Sequence, residues 1–138
     1  MGFHVTGSLL DTSVLIARDE SATLELPATA AISVITLGEL RAGVLIARET
    51  SVAEERERRL AAVRAAFAPL PVDESVAGRY GEVLATARRQ RRVAKATDLL
   101  IIATAAATAR RLYTLDAAQA RLAEAADIPT TLLSSATR

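Results

Sequence analysis

The chain has 138 residues, 51% of them hydrophobic, and its 17 Lys and Arg against 16 Asp and Glu give a net charge of +1. This size and composition are typical of one folded domain and exclude a disordered chain. The absence of Cys excludes disulfides and thiolate metal sites, while the near-neutral charge neither indicates nor excludes a nucleic-acid partner, because binding depends on the local field at a site.

At the N-terminus, the residues MGFHVTG lack the basic start and long apolar stretch of a signal peptide. Further along, charged residues interrupt each apolar run before it reaches about 18 residues, the length that a transmembrane helix needs. We therefore expect a cytoplasmic protein without a membrane partner.

The first half of the chain alternates short apolar runs with helical patterns. Residues 5–10 form a strand candidate, and TSVLIARDE over 12–20 is helical in character. A second strand is predicted over 29–35. It precedes a helix over 36–49, with apolar residues at helical spacing, and a charged helix over 51–67, whose Glu and Arg residues pair four positions apart.

The second half continues this alternation. The segment 68–72 is an edge strand at most, because its two prolines cannot donate to a ladder. A helix with an acidic first turn is predicted over 73–90, and a buried helix over 98–111, where apolar residues lie on nearly all sides. The last predicted elements are a strand over 112–115, a helix over 116–126 and a strand over 129–133. Strands separated by helices predict an α/β fold, with a short central parallel sheet and helices on both faces.

Four acidic residues stand at the junctions between these strands and helices. Asp11 ends the first strand, and Glu39 lies in the first turn of the helix after the second. Asp98 begins the buried helix, and Asp116 follows the strand over 112–115. The carboxyl ends of parallel strands share one edge of the sheet, so we expect these acids to converge there.

Helix capping is a simpler explanation for each acid taken singly. Thr36 and Glu39 have the spacing of a capping box, as have Asp116 and Gln119. The other two acids suit an N-cap or the positive end of a helix dipole. If the four converge, however, their repulsion requires a cation, and oxygen ligands favour Mg²⁺ or Mn²⁺, which suit phosphoryl chemistry.

Four stretches resemble the acidic blocks of the PIN-domain ribonucleases: LLDTSVLIA, SVITLGELRAGV, KATDLLIIATA and LYTLDAAQ. Among these proteins, the chain most resembles the VapC toxins of bacterial toxin–antitoxin pairs. The resemblance implies a single PIN-like domain over 1–138 and a metal-dependent endoribonuclease that uses Mg²⁺ or Mn²⁺. It also implies a homodimer that a small VapB-like antitoxin neutralises.

The same resemblance implies roles for individual residues. The metal-binding and catalytic acids would be Asp11, Glu39, Asp98 and Asp116, with Ser13 and Thr114 as supporting hydroxyls. Many relatives carry an acid and a phenylalanine at the end of the last block, where this chain has Gln119 and Ala120. This departure makes a second metal ion less expected than the first.

A basic run immediately precedes Asp98. It contains Arg88, Arg89, Arg91, Arg92 and Lys95. These cations could hold RNA phosphates beside the acids, or they could be a solvated helix end that complements the helix dipole. The two Phe and two Tyr offer little for a base-stacking platform, and the proposed chemistry does not need the single histidine, His4.

Other functions have less support from the sequence. A haloacid-dehalogenase-like phosphatase needs a second Asp where Ser13 stands, and the glycine motifs of dinucleotide-binding and P-loop proteins are absent. The remaining alternative is a PIN-like module that binds RNA or protein without cleaving. The helices over 36–49 and 51–67 also carry apolar residues that we expect to be free for a homodimer or an antitoxin helix, namely Leu40, Val44, Leu60 and Val63.

Overall fold

The computed structural model describes residues 5–20 and 26–134. The strands are β1 (Gly7–Leu10), β2 (Ala30–Ser33), β3 (Ala68–Leu70), β4 (Arg110–Thr114) and β5 (Thr130–Leu132). The helices are α1 (Thr12–Glu20), α2 (Val34–Ile46), α3 (Thr50–Ala66), α4 (Glu74–Arg89), α5 (Ala96–Ala107) and α6 (Ala117–Ala125). Within these described ranges, no helix is long and apolar enough to cross a membrane.

The strands form one parallel sheet in the order β3-β2-β1-β4-β5. β1 lies at its centre, where Leu9 pairs with Ala31 of β2 and with Leu112 of β4. The chain runs from β1 outward to β2 and β3, and then returns to β4 on the other side of β1. The strand order therefore reverses between β1 and β4, and open α/β sheets bind their ligands at the carboxyl ends of such neighbours.

Helices cover both faces of the sheet, as predicted. Successive strand residues point to opposite faces, so the fully buried Leu9 and Leu10 enter different cores. Leu9 packs with buried residues of α4, α5 and α6, whereas Leu10 packs with buried residues of α1, α2 and α3. Burying a leucine fully stabilises the fold by about 1.5–3 kcal/mol, so these two layers hold β1 firmly in place.

The apolar residues that were predicted to be free on α2 and α3 are buried, so that prediction is wrong. They are Leu40, Val44, Leu60 and Val63. The physical reason is that α2 and α3 pack against each other as a hairpin and turn these side chains inward. The exposed apolar residues at the end of α2 are instead Leu45 and Ile46, with 72% and 73% of their surface exposed.

The start of α2 also differs from the prediction. Ser33 is its N-cap, and the Ser33 hydroxyl oxygen accepts a hydrogen bond from the Ile35 N–H at 3.0 Å. The helix begins at Val34, so the predicted capping box of Thr36 and Glu39 is wrong. Thr36 is a fully buried residue inside the helix, and Glu39 lies in its second turn rather than its first.

The buried helix is displaced toward the N-terminus relative to its predicted range. α5 begins at Ala96, two residues before Asp98, and ends at Ala107 instead of Arg111. Ala109 has a φ of 55°, which a right-handed helix cannot accommodate, and Arg110 already belongs to β4. Asp98 remains in the first turn of the helix, at its positive end.

Candidate active site

Asp11 follows the central strand and is the most heavily hydrogen-bonded acid of the candidate site. The residue is 5% exposed. Its Oδ2 accepts hydrogen bonds from the Ser13 N–H at 3.1 Å and from the Thr114 hydroxyl at 3.3 Å. Its Oδ1 accepts a hydrogen bond from the Gln119 side-chain amide at 3.1 Å. Asp11 therefore caps α1, as the simpler explanation predicts, but it also joins β1 to β4 and α6.

Glu39 is held by a hydroxyl from another helix. The Thr12 hydroxyl donates to Glu39 Oε1 at 2.5 Å, and the Thr36 hydroxyl lies 3.0 Å from that of Thr12. Because Thr12 has one proton and its closer neighbour is a carboxylate, the Thr36 hydroxyl donates to Thr12. This chain of bonds fixes Glu39 beside Thr12, the residue that directly follows Asp11 at the end of β1.

The other three acids influence the charge state of Asp98. The pKa of Asp98 is raised from 3.8 to about 6, chiefly by burial, while Lys95 lowers it and the negative charges of Asp11, Asp116 and Glu39 raise it. An acid near a like charge is harder to ionise, so the upward influence of three separate carboxylates indicates that they lie close to Asp98. The coupling places the three acids near Asp98, and the role of the four as ligands of one metal ion stays a prediction.

Asp116 is the N-cap of α6, which agrees with the capping explanation. Its Oδ1 accepts hydrogen bonds from the N–H groups of Ala118 at 2.9 Å and Gln119 at 3.1 Å. Asp116 is exposed, and with Asp98 it lines a cavity of about 230 Å³. The acid is thus both a cap and part of the cavity wall.

The two hydroxyls predicted to support the acids both lie at this edge of the sheet. The Thr114 hydroxyl contacts Asp11, and it accepts a hydrogen bond from the Asp116 N–H at 3.0 Å. The Ser13 hydroxyl accepts a hydrogen bond from the Leu115 N–H at 3.1 Å, while its own N–H donates to Asp11. Both residues therefore tie the start of α1 to the end of β4.

The donor set fits a hard divalent cation in its chemistry, since it offers carboxylate oxygens alone. In the part of the chain that the structure describes, however, no three acidic or histidine side chains are arranged to share one ion as they stand. The carboxylates repel one another, and neutral donors hold two of them, Asp11 and Glu39. Binding of an ion would therefore require Asp98 to turn toward these two held carboxylates.

The basic run divides into two groups. Arg92 lines the acidic cavity, and Lys95 lies near enough to lower the pKa of Asp98. Arg88 and Arg89 lie exposed in the last turn of α4, where cations complement the helix dipole, and Arg91 is exposed beyond it. The structure thus brings two of the five predicted cations to the acids and leaves three outside the cavity wall.

A Schellman-type turn positions these two cations. The Arg92 N–H donates to the Ala87 carbonyl at 2.8 Å, and the Arg91 N–H donates to the Arg88 carbonyl at 3.2 Å. Arg91 has a φ of 54°, the left-handed conformation that such turns require and that glycine adopts most easily. The turn directs the chain back toward α5 and places Arg92 in the cavity wall.

Sequence reasoning missed the contributions of Thr12, Thr36 and the Gln119 side chain. Thr12 stands directly after Asp11, and a hydroxyl inside the largely apolar stretch over 9–17 was a usable signal. Thr36 was assigned to a cap instead, and Gln119 was noted only as a departure from the usual pattern. All three are buried, which indicates that their polar groups need the partners they have.

Comparison with known proteins identifies this arrangement. The family model of the PIN domain matches residues 8–125. Ribonuclease VapC8 of Mycobacterium tuberculosis is 42% identical over 100 residues, which cover 70% of this chain and 88% of VapC8. Ribonuclease VapC5 of the same species is 36% identical over 123 residues, 87% of this chain and 90% of VapC5.

Solved structures give the same result for the fold. The structure of VapBC-5 from Mycobacterium tuberculosis, a member of the VapBC family of toxin–antitoxin systems, superposes with a TM-score of 0.80 at 35% identity. The match covers 92% of this chain and 98% of that one. With the acids, the sheet order and these relatives in agreement, the chain belongs to the PIN-domain family.

Proposed function

We propose that this chain is a VapC-type toxin, an endoribonuclease that hydrolyses RNA phosphodiester bonds with Mg²⁺ or Mn²⁺. The observation that carries the proposal is that Asp98 and Asp116 line one cavity at the carboxyl edge of the sheet, where the charges of Asp11 and Glu39 also reach Asp98. The negative charges of these four carboxylates repel one another at the edge of the sheet where α/β folds bind ligands. A bound cation would neutralise this repulsion, which gives the cluster a reason to exist. The names of the related ribonucleases VapC8 and VapC5 support the same activity.

Asp11, Glu39 and Asp98 would hold one divalent ion, and Asp116 would assist with it or with a second, substrate-dependent ion. When bound, such an ion acidifies water and neutralises charge on the transferring phosphoryl group. The donors around Asp11 and the hydroxyl on Glu39 keep these two carboxylates oriented. His4, the only histidine, lies outside the described residues, and the proposed reaction does not use it.

The cations beside the acids would bind the substrate. Arg92 in the cavity wall and Lys95 near Asp98 would attract RNA phosphates toward the carboxylates, through charge and without reading bases. Arg88, Arg89 and Arg91 would add to the positive field from outside the cavity. An RNA substrate would place the activity in the cytoplasm.

The proposal includes protein partners. The neighbour VapBC-5 is described as a toxin–antitoxin system, and we propose a small VapB-like antitoxin as the partner that neutralises this chain. We also propose a homodimer of a single domain spanning residues 1–138. Leu45 and Ile46 at the end of α2 are exposed apolar residues that such contacts would cover.

A second candidate is a PIN-like module that binds RNA or protein without cleaving. The observation in its favour is that no three acidic or histidine side chains among residues 5–20 and 26–134 are arranged to share an ion. The two candidates differ in whether the protein turns over RNA.

The deciding experiment is cleavage of a labelled single-stranded RNA by purified protein in Mn²⁺, in Mg²⁺ and in chelator, with Asp98→Asn as the matched variant. If the protein is the proposed ribonuclease, it cleaves the RNA with either metal and stops in chelator. The cleavage rate of Asp98→Asn falls at least about 100-fold, because losing a charged metal ligand removes several kcal/mol of transition-state stabilisation. Binding of the RNA without any metal-dependent cleavage would instead favour the second candidate.

A further inference from the structure

Gln119 connects the end of the central strand to the last helix through a buried side chain. It is the third residue of α6 and is 4% exposed. Its backbone N–H donates to Asp116, whereas its side chain turns inward and contacts Asp11 and Thr114. Gln119 therefore touches both acids that flank the sheet reversal between β1 and β4.

The distances settle which atoms donate. The Thr114 hydroxyl lies 2.6 Å from Gln119 Oε1 and 3.3 Å from Asp11 Oδ2, so its single proton goes mainly to the closer glutamine oxygen. The Gln119 Nε2 then donates to Asp11 Oδ1 at 3.1 Å. The opposite amide orientation would direct Oε1 at the carboxylate, which repulsion disfavours, so the network fixes the orientation of the amide.

Each oxygen of Asp11 accepts one full hydrogen bond. Oδ2 accepts it from the Ser13 N–H and Oδ1 from the Gln119 amide, because the Thr114 proton goes mainly to Gln119. Within the described part of the chain, each oxygen therefore keeps a lone pair for a cation, and the Gln119 bond helps to fix the direction in which these lone pairs point.

We propose that Gln119 is a positioning residue, which holds the Asp11 carboxylate in the orientation that a divalent cation would meet. This inference rests on the proposed metal-dependent function. A neutral amide suits the position because it donates to Asp11 without adding charge to the acidic cluster. A carboxylate there would accept the Thr114 proton equally well, but it would have no proton for Asp11 and would repel it.

The test measures Mn²⁺ affinity directly, by calorimetric titration of metal-free protein at pH 7. Gln119→Met keeps the length of the side chain and removes both hydrogen bonds. Partners that orient metal ligands typically change metal affinity by about 10- to 100-fold, so we expect Mn²⁺ binding weakened at least about 10-fold. Excess Mn²⁺ should restore most of the RNA cleavage rate in this variant, because the ligands themselves are unchanged.

The matched control is Ala123→Gly, which destabilises the same helix at a fully buried position without touching the Asp11 network. It should melt at a lower temperature and bind Mn²⁺ as wild type does. If Gln119→Met does not fold, Gln119→Asn serves in its place, since it keeps the amide but is too short to bridge Thr114 and Asp11. It should also bind Mn²⁺ more weakly than wild type.

The outcomes separate this inference from the proposed function. Wild-type affinity in Gln119→Met or Gln119→Asn, with binding abolished in Asp98→Asn, would overturn the role of Gln119 and leave the metal site intact. Equal weakening in Ala123→Gly would also overturn it, because general destabilisation would then explain the loss. Wild-type protein that binds no Mn²⁺ would overturn the metal site and this inference together.

Discussion

The Thr12 hydroxyl donates a 2.5 Å hydrogen bond to Glu39 Oε1 and thereby joins the start of α1 to the second turn of α2. Thr12 follows Asp11 directly, so one short segment after β1 supplies an acid to the site and positions another. Hydrogen bonds to an ionised acceptor are shorter and stronger than neutral ones, and this one keeps Glu39 turned toward the end of the central strand.

The first prediction concerns this bond. Thr12→Val keeps the shape of the side chain and removes its hydroxyl, so Glu39 loses its donor and Thr36 loses its buried partner. We expect the RNA cleavage rate to fall about 10-fold, as is typical when a residue that orients a metal ligand is removed. The measurement is the initial rate at fixed Mn²⁺, well below the melting temperature of the variant.

Thr12→Ser is the control for that experiment, since it retains the hydroxyl and should cleave at nearly the wild-type rate. A Thr12→Val protein that cleaves as fast as wild type would mean that Glu39 does not depend on Thr12 for its position.

The second prediction concerns the turn after α4. Arg91 adopts a φ of 54°, which costs a residue with a Cβ roughly 1 kcal/mol relative to glycine. Arg91→Gly should therefore stabilise the protein by a fraction of that amount, because glycine also gains entropy in the unfolded chain. Urea denaturation of both proteins measures the difference.

Arg91→Ala separates backbone strain from charge, because it removes the guanidinium and keeps the Cβ. It should not stabilise the protein. If Ala and Gly had the same effect, the charge of Arg91, rather than its backbone conformation, would be responsible.

The positions of Asp11 and Asp116 could be predicted because each directly follows a parallel strand, and such strand ends emerge at one edge of the sheet whatever the details of packing. Asp98 begins α5, which follows α4 rather than a strand, so strand topology alone did not place it. The α1 range, Thr12–Glu20, could be predicted because the apolar run, the acid and the helical pattern are adjacent in sequence.

The hydrogen bonds within the site could not be predicted in this way. Thr12 meets Glu39 across 27 positions and Gln119 meets Asp11 across 108, so these contacts depend on how each helix rotates against the sheet. The end of α5 was mispredicted for a related reason. Arginine is a good helix former, but Arg110 and Arg111 pair with Gly7 and Ser8 of β1, and this tertiary pairing overrides local propensity.

The third prediction distinguishes the cations of the basic run. Arg92 lines the acidic cavity, whereas Arg88 lies on the last turn of α4 outside it. In an Asp98→Asn background, which prevents cleavage, Arg92→Ala should weaken binding of a single-stranded RNA several-fold. It should also reduce the slope of log K against log salt by about 0.7, the value for one phosphate contact on a single strand.

Arg88→Ala should change the RNA affinity and the salt slope less. Fluorescence anisotropy at several salt concentrations measures both quantities. Equal effects of the two substitutions would indicate a diffuse positive field, and the absence of any effect would favour the helix-dipole explanation of the whole run.

The last prediction follows from the pKa of Asp98, which is raised from 3.8 to about 6 chiefly by burial and then by the neighbouring acids. Below the lower value, Asp98 is protonated in the folded and the unfolded chain and affects stability little. As the pH rises from about 4 to about 6, the unfolded chain releases this proton first, so stability is lost. Because Asp98 is only partly buried, solvent screening reduces the cost to about 1 kcal/mol at pH 7.

Metal-free Asp98→Asn should therefore be more stable than wild type at pH 7 and equally stable near pH 4, as measured by urea denaturation in chelator. Millimolar Mn²⁺ should stabilise the wild type but not Asp98→Asn, by mass action on the folded state. A constant difference across this pH range would show that Asp98 ionises normally in the folded protein and does not face the other acids.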